Sequence, residues 1–233
     1  SMKAAVMGRR SVTADVRDQM KNKLLGLCFV VGSTLHAERP INEMPMYGGQ
    51  HSPNVERNRD HSQSAAKLGW EYFYKGDLDT ASKRFNQAWM FDRESVEAFW
   101  GFGLVMGRRA QKEDAEKNLR ESIRCLEMAR AKAPKNGRIL VDLAQSRTGL
   151  GVFLEQQGKT GKEEFAASHA LYQSAVKLDP EYPLLYYKWA ALDFYGGRYD
   201  EALQPLAREK ELGNRPDQRF EQEFHANLQC SAQ

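Results

Sequence analysis

Residues 65–88 read Ala-Ala-Lys-Leu-Gly-Trp-Glu-Tyr-Phe-Tyr-Lys-Gly-Asp-Leu-Asp-Thr-Ala-Ser-Lys-Arg-Phe-Asn-Gln-Ala, and this stretch decides the fold. Ala65, Leu68, Gly69 and Tyr72 recur at helical spacing, which predicts an amphipathic helix. Gly76-Asp77 then interrupts the pattern, since glycine ends helices and aspartate starts them. Ala81, Phe85 and Ala88 mark a second helical stripe, closed by Asp92. Small residues at 69, 81 and 88 let the two helices approach closely. Leu68, Tyr72 and Phe85 are expected to fill the remaining volume.

Moving outward, the unit recurs. Phe99, Phe102 and Gly103 repeat its opening, with Gly103 falling 34 residues after Gly69. Leu126, Ala129 and Pro134 close this second unit, with extra residues near 108–114. A third unit opens with Leu140, Leu143 and Ala144 and closes with Leu171, Ala175 and Asp179, with a longer insertion around 150–163. In the fourth, Tyr186, Trp189 and Ala190 precede Gly197-Arg198-Tyr199-Asp200-Glu201-Ala202, which parallels residues 76–81. The order Leu-Gly-x-x-Tyr, Gly-Asp, Ala-x-x-x-Phe-x-x-Ala resembles the tetratricopeptide repeat (TPR). That resemblance covers residues 61–212 and implies an all-α, right-handed superhelical solenoid of four helix pairs. Residues 213–233 supply Phe220, Phe224 and Leu228 for one more amphipathic helix, expected to cap the last repeat. Residues 42–49 and 69–89 also resemble small exported bacterial TPR proteins of unassigned role.

The chain before the repeats has a different character. Lys21 and Lys23 precede an apolar stretch from Leu24 to Leu35, and Ala37 offers a small residue for cleavage. This is the layout of a secretory signal. It implies export to the periplasm or beyond, with Glu38 as the new first residue; a cytoplasmic protein with a buried N-terminal helix is the alternative. Met20 would be its natural start, with residues 2–19 an upstream extension. The apolar stretch is shorter than the roughly 20 residues a membrane-spanning helix needs, so no stable anchor is expected. Leu27 stands where a small residue should precede a lipidated Cys28. Residues 38–60 hold Pro40, Pro45, Pro53, Gly48 and Gly49 and read as a flexible arm.

Charge argues against a nucleic-acid partner. Of 34 basic and 31 acidic residues, six and two fall in residues 1–37, which leaves 28 and 29 for the remainder. A nucleic-acid binder would carry a basic excess on its folded part. Catalytic motifs are missing: no phosphate-cradling glycine loop, no nucleophile elbow and no zinc-spaced cysteine pair. Glu221 and His225 have helical metal-ligand spacing but no companions, and read as a solvated face. His61 and His169 likewise show no sequence companions. Cys125 reads as a small buried thiol, and nothing in the sequence brings it to Cys230. No cofactor, metal or enzyme activity is expected.

The expected function is therefore protein or peptide binding. In the TPR pattern the first helix of each pair lines the concave side, which implies a groove carrying Trp70, Phe73, Trp100, Leu104, Arg138, Gln145, Tyr187 and Phe194. Trp70, Trp100 and Tyr187 are expected to form an aromatic stripe, with Arg138 anchoring an acidic or carbonyl group. On that reading Trp100→Ala would weaken a partner while barely moving the melting temperature. The clamp that holds acidic chaperone tails is rejected, because its places hold Ala66, Trp70, Gly101, Arg138 and Asp142, of which only Arg138 could serve. The alternative is a structural role, with the groove filled by the protein's own arm or by another copy in a homo-oligomer.

Overall fold

The computed structural model describes residues 55–213 and Gln222. Among the described residues there are eight α-helices and no strand. They are α1 (Arg59–Tyr74), α2 (Leu78–Phe91), α3 (Val96–Arg109), α4 (Ala115–Lys132), α5 (Gly137–Gln156), α6 (Lys162–Leu178), α7 (Leu185–Tyr195) and α8 (Tyr199–Glu211). The signal-like segment, most of the arm, the capping helix apart from Gly213 and Gln222, and with it Glu221, His225 and Cys230, lie outside the described residues.

Helix starts follow local chemistry. Asn58, Asp77, Ser95 and Asn136 each accept a backbone N–H of the first turn, which satisfies a donor that the helix itself cannot. The turns of the first and fourth pairs pass through Gly76 and Gly197, at φ of 80° and 73°, where a side chain would be strained. These are the two glycines that the sequence places at equivalent points.

The helices pack as four antiparallel pairs, α1–α2, α3–α4, α5–α6 and α7–α8, each stacked on the next. First helices also touch across the stack, α1 with α3, α3 with α5 and α5 with α7, whereas second helices show no comparable contact. The layer of first helices is therefore the inner, tighter side. Core side chains fill the seams: Phe85, Phe99, Phe102, Leu126, Leu143 and Tyr172 are almost wholly buried. Two hydroxyl pairs, Ser122 with Ser146 at 2.9 Å and Thr148 with Ser168 at 2.8 Å, satisfy polar groups where helices approach closely.

One local expectation changes. Leu68 is 38% exposed and does not fill the core, because α1 begins the described stack and has a neighbouring pair on one side only. The insertion of the third unit also takes a form that spacing did not show, helix and not loop. Its residues lengthen α5 to 20 residues and α6 to 17, against 16 and 14 in the first pair. The added turns have their own seam. A Cβ on Gly151 would lie 2.6 Å from the Phe165 ring, and the Glu155 carboxylate accepts the Gly161 N–H at 2.7 Å.

Candidate protein-binding face

The inner face is organised by hydrogen bonds that run from one first helix to the next. Trp70 of α1 donates its indole N–H to Glu97 of α3 at 2.6 Å. Trp100 of α3 donates to Asp142 of α5 at 2.8 Å, and Lys188 of α7 reaches the other Asp142 oxygen at 3.2 Å. Both indoles are half-buried, so each ring shows part of its surface while its N–H is fixed. The Trp70 and Trp100 rings meet edge to face, with centroids 5.3 Å apart. Tyr74, one helical turn beyond Trp70, lies roughly parallel to it at 6.1 Å and is 79% exposed.

The other expected groove residues divide. Gln145 is exposed on α5, and Leu104 is half-buried beside Phe73 and Phe102. Phe73 and Phe194 are only 6% and 8% exposed, so they belong to the core and offer no groove surface. Phe73 joins Phe85, Phe102 and Val105 between the first two pairs, while Phe194 packs with Ala190, Ala202 and Leu206 inside the last. Tyr187 is half-buried against that same last cluster, apart from the Trp70–Trp100 pair. Arg138 is exposed, but its guanidinium lies over the Tyr182 ring at 5.2 Å and 3.9 Å from Asp179. Its charge is thus already engaged within the chain.

His169, which lacks companions in the sequence, has them in space. It accepts the Trp189 indole N–H at 3.3 Å and lies 3.8 Å from Asp193. His169, Asp193 and Glu201 bring ligand-type atoms within 4.8 Å of one another. Arg198 already serves the two carboxylates, at 2.7 Å from Asp193 and 3.1 Å from Glu201. The cluster is an internal ion pair with an aromatic wall, and the chain's own guanidinium supplies the cation a metal would provide. Burial pushes the Asp193 carboxyl above its ordinary range, against the pull of Arg198.

Tyr74 escaped the sequence reading, and its signal was the i, i+4 spacing from Trp70, which puts both on one helix face. The Asp193 network had no such signal, because its members come from three helices and a turn.

No protein-family model matches the chain, and no curated protein does. Solved structures do. One, "Crystal structure of MamA protein", aligns with a TM-score of 0.50 at 18% identity, covering 66% of this chain and 73% of that one. A second MamA crystal structure gives 0.49 at 18% identity, over 65% and 78% of the two chains. A structure from "Functional Characterization of Pseudomonas Aeruginosa pilF" gives 0.33 at 15%, over 67% and 78%. At such identity the MamA likeness establishes the fold, and the helix pairs described above agree with it: the chain is a TPR-type solenoid. The fold alone does not say what the chain binds or does. Among the described residues no helix is long and apolar enough to cross a membrane.

Proposed function

We propose that this protein is a non-catalytic scaffold that binds a protein or peptide along its layer of first helices, in the bacterial cell envelope after cleavage behind Ala37. One observation carries the binding reading: the inner-face rings Trp70 and Trp100 are fixed by Glu97 and Asp142 while remaining partly open, beside an almost fully exposed Tyr74. Rigid aromatic surface with its polar atoms already satisfied is good anchoring surface, because little ordering entropy is lost when a partner arrives.

Site-specific photo-crosslinking tests it. A photoreactive side chain at Gln145, on the inner face of α5, should form a discrete adduct with another polypeptide in the cells of origin. The same group at Lys117, on α4, should not. Adducts from Lys117 alone would move binding to the second helices, and an adduct only with another copy of the chain would favour the self-assembling alternative. The envelope location is tested by mass spectrometry of the native protein, which should begin at Glu38; a cytosolic chain retaining Met2 would sink it.

A further inference from the structure

The notch between α1 and α3 has an unbalanced chemistry. Its walls are Trp70, Tyr74 and Trp100, and its acid is Glu97. The bond to Glu97 comes from a neutral indole, and among the described residues no basic side chain pairs with this carboxylate. Glu97 is half-buried, so water screens its charge less than at an open surface. The other groove acid, Asp142, has Lys188.

The rings tell the same story. Elsewhere the chain covers aromatic faces with its own cations, as with Arg93 over Trp89 at 4.7 Å and Arg108 over Phe73 at 5.2 Å. Among the described residues no cation lies over Trp70, Tyr74 or Trp100. A carboxylate hydrogen-bonded to an indole N–H adds electron density to that ring system, and aromatic faces attract cations most strongly when the ring is tryptophan. The notch thus joins a half-buried carboxylate that no described cation pairs to electron-rich faces that none covers; the nearest cation named, Lys188, is held by Asp142.

We propose that this notch receives a lysine or arginine side chain from the bound polypeptide. The inference rests on the protein-binding reading above and adds the chemistry of the contact. The aliphatic stem of such a side chain would lie along the Tyr74 and Trp70 faces, and its charged head would meet Glu97.

The test uses the full chain, labelled with nitrogen-15, titrated with hexalysine, hexaglutamate and hexaglycine. The Trp70 indole N–H resonance, assigned through Trp70→Phe, is the readout. Hexalysine should shift it saturably, and rising salt should weaken the effect. Glu97→Gln and Tyr74→Ala should each weaken binding about fivefold, the scale of a partly exposed cation–π or ion contact. Both variants should keep their far-ultraviolet circular dichroism spectrum and melting temperature, which separates lost contact from lost fold. A hexalysine response that is the same in Glu97→Gln would overturn the proposal, as would a stronger response to hexaglutamate. A display selection of random peptides, run in parallel, separates the two readings. Tyr74-dependent peptides rich in Lys or Arg would support both. Tyr74-dependent peptides without basic residues would overturn the inference and leave the scaffold standing. A selection yielding no Tyr74-dependent peptide would overturn both at this notch.

Discussion

The Phe85 ring occupies the space that a methyl group on Gly101 would need. A Cβ built on Gly101 collides with that ring, and one on Gly69 would lie 2.7 Å from it. One phenylalanine of α2 is thereby wedged against the bare backbones of α1 and α3 at once. It joins the first pair to the second with no volume to spare.

Gly101→Ala should therefore destabilise the protein by about 1–3 kcal/mol through overpacking, and more than Gly69→Ala does. Phe85→Leu costs stability alone but should recover much of the Gly101→Ala loss, since it removes the ring that the methyl strikes. Urea unfolding of the single and double variants measures this. Additive losses would mean that the two sites do not touch.

Trp100→Ala should lower stability by about 3 kcal/mol, contrary to the expectation from sequence that the melting temperature would barely move. Trp100 packs against two of the hydrophobic clusters besides facing the groove, and its N–H satisfies the buried Asp142. Trp100→Phe keeps most of the packing and should cost about 1 kcal/mol for the lost hydrogen bond. Thermal unfolding of both variants checks the order.

Much of the fold was open to reading because packing at Gly69, Phe85, Ala81 and Ala88 constrains residue size, and size leaves a periodic trace. The same periodicity misplaced Phe73 and Phe194. A repeat offset gives the direction of a side chain from its helix, while burial depends on how far the neighbouring pair closes over it. The long α5–α6 pair read as an insertion because spacing alone does not distinguish a loop from extra helical turns. The Glu97 and Asp142 bonds were beyond sequence reading, since they depend on the registry between helices 27 and 42 residues apart in sequence.

Glu209 of α8 should prove a structural residue despite its charge. It is fully buried, and its two oxygens accept the backbone N–H groups of Leu184 and Tyr187 at 3.1 and 3.2 Å, capping an α7 that has no cap of its own. Glu209→Ala strands both donors and should cost about 2 kcal/mol. Glu209→Gln retains one good acceptor and should cost less. Denaturant titration that found the two variants equal would show that the carboxylate is not what holds the turn.

Cys125 should resist thiol reagents until the protein unfolds. It is 1% exposed, and burial, with Glu121 adding to it, pushes its thiol well above the ordinary value, so almost no nucleophilic thiolate forms near neutral pH. In a Cys28→Ser, Cys230→Ser background, the rate of reaction with an aromatic disulfide reagent should rise only across the urea transition. Rapid reaction in native buffer would mean that α3 and α4 open locally.

The Trp70–Glu97 and Trp100–Asp142–Lys188 ties make the units of this stack unequal. Repeat proteins are often treated as interchangeable modules that can be shuffled, duplicated or deleted. Here each of the first two units supplies a donor whose acceptor exists only on its own successor. Exchanging the second and third units would leave an indole or a carboxylate facing the wrong neighbour, in a half-buried place where water cannot fully replace it. The chain thus carries a written order: its pieces share one plan, but these ties mark which piece follows which.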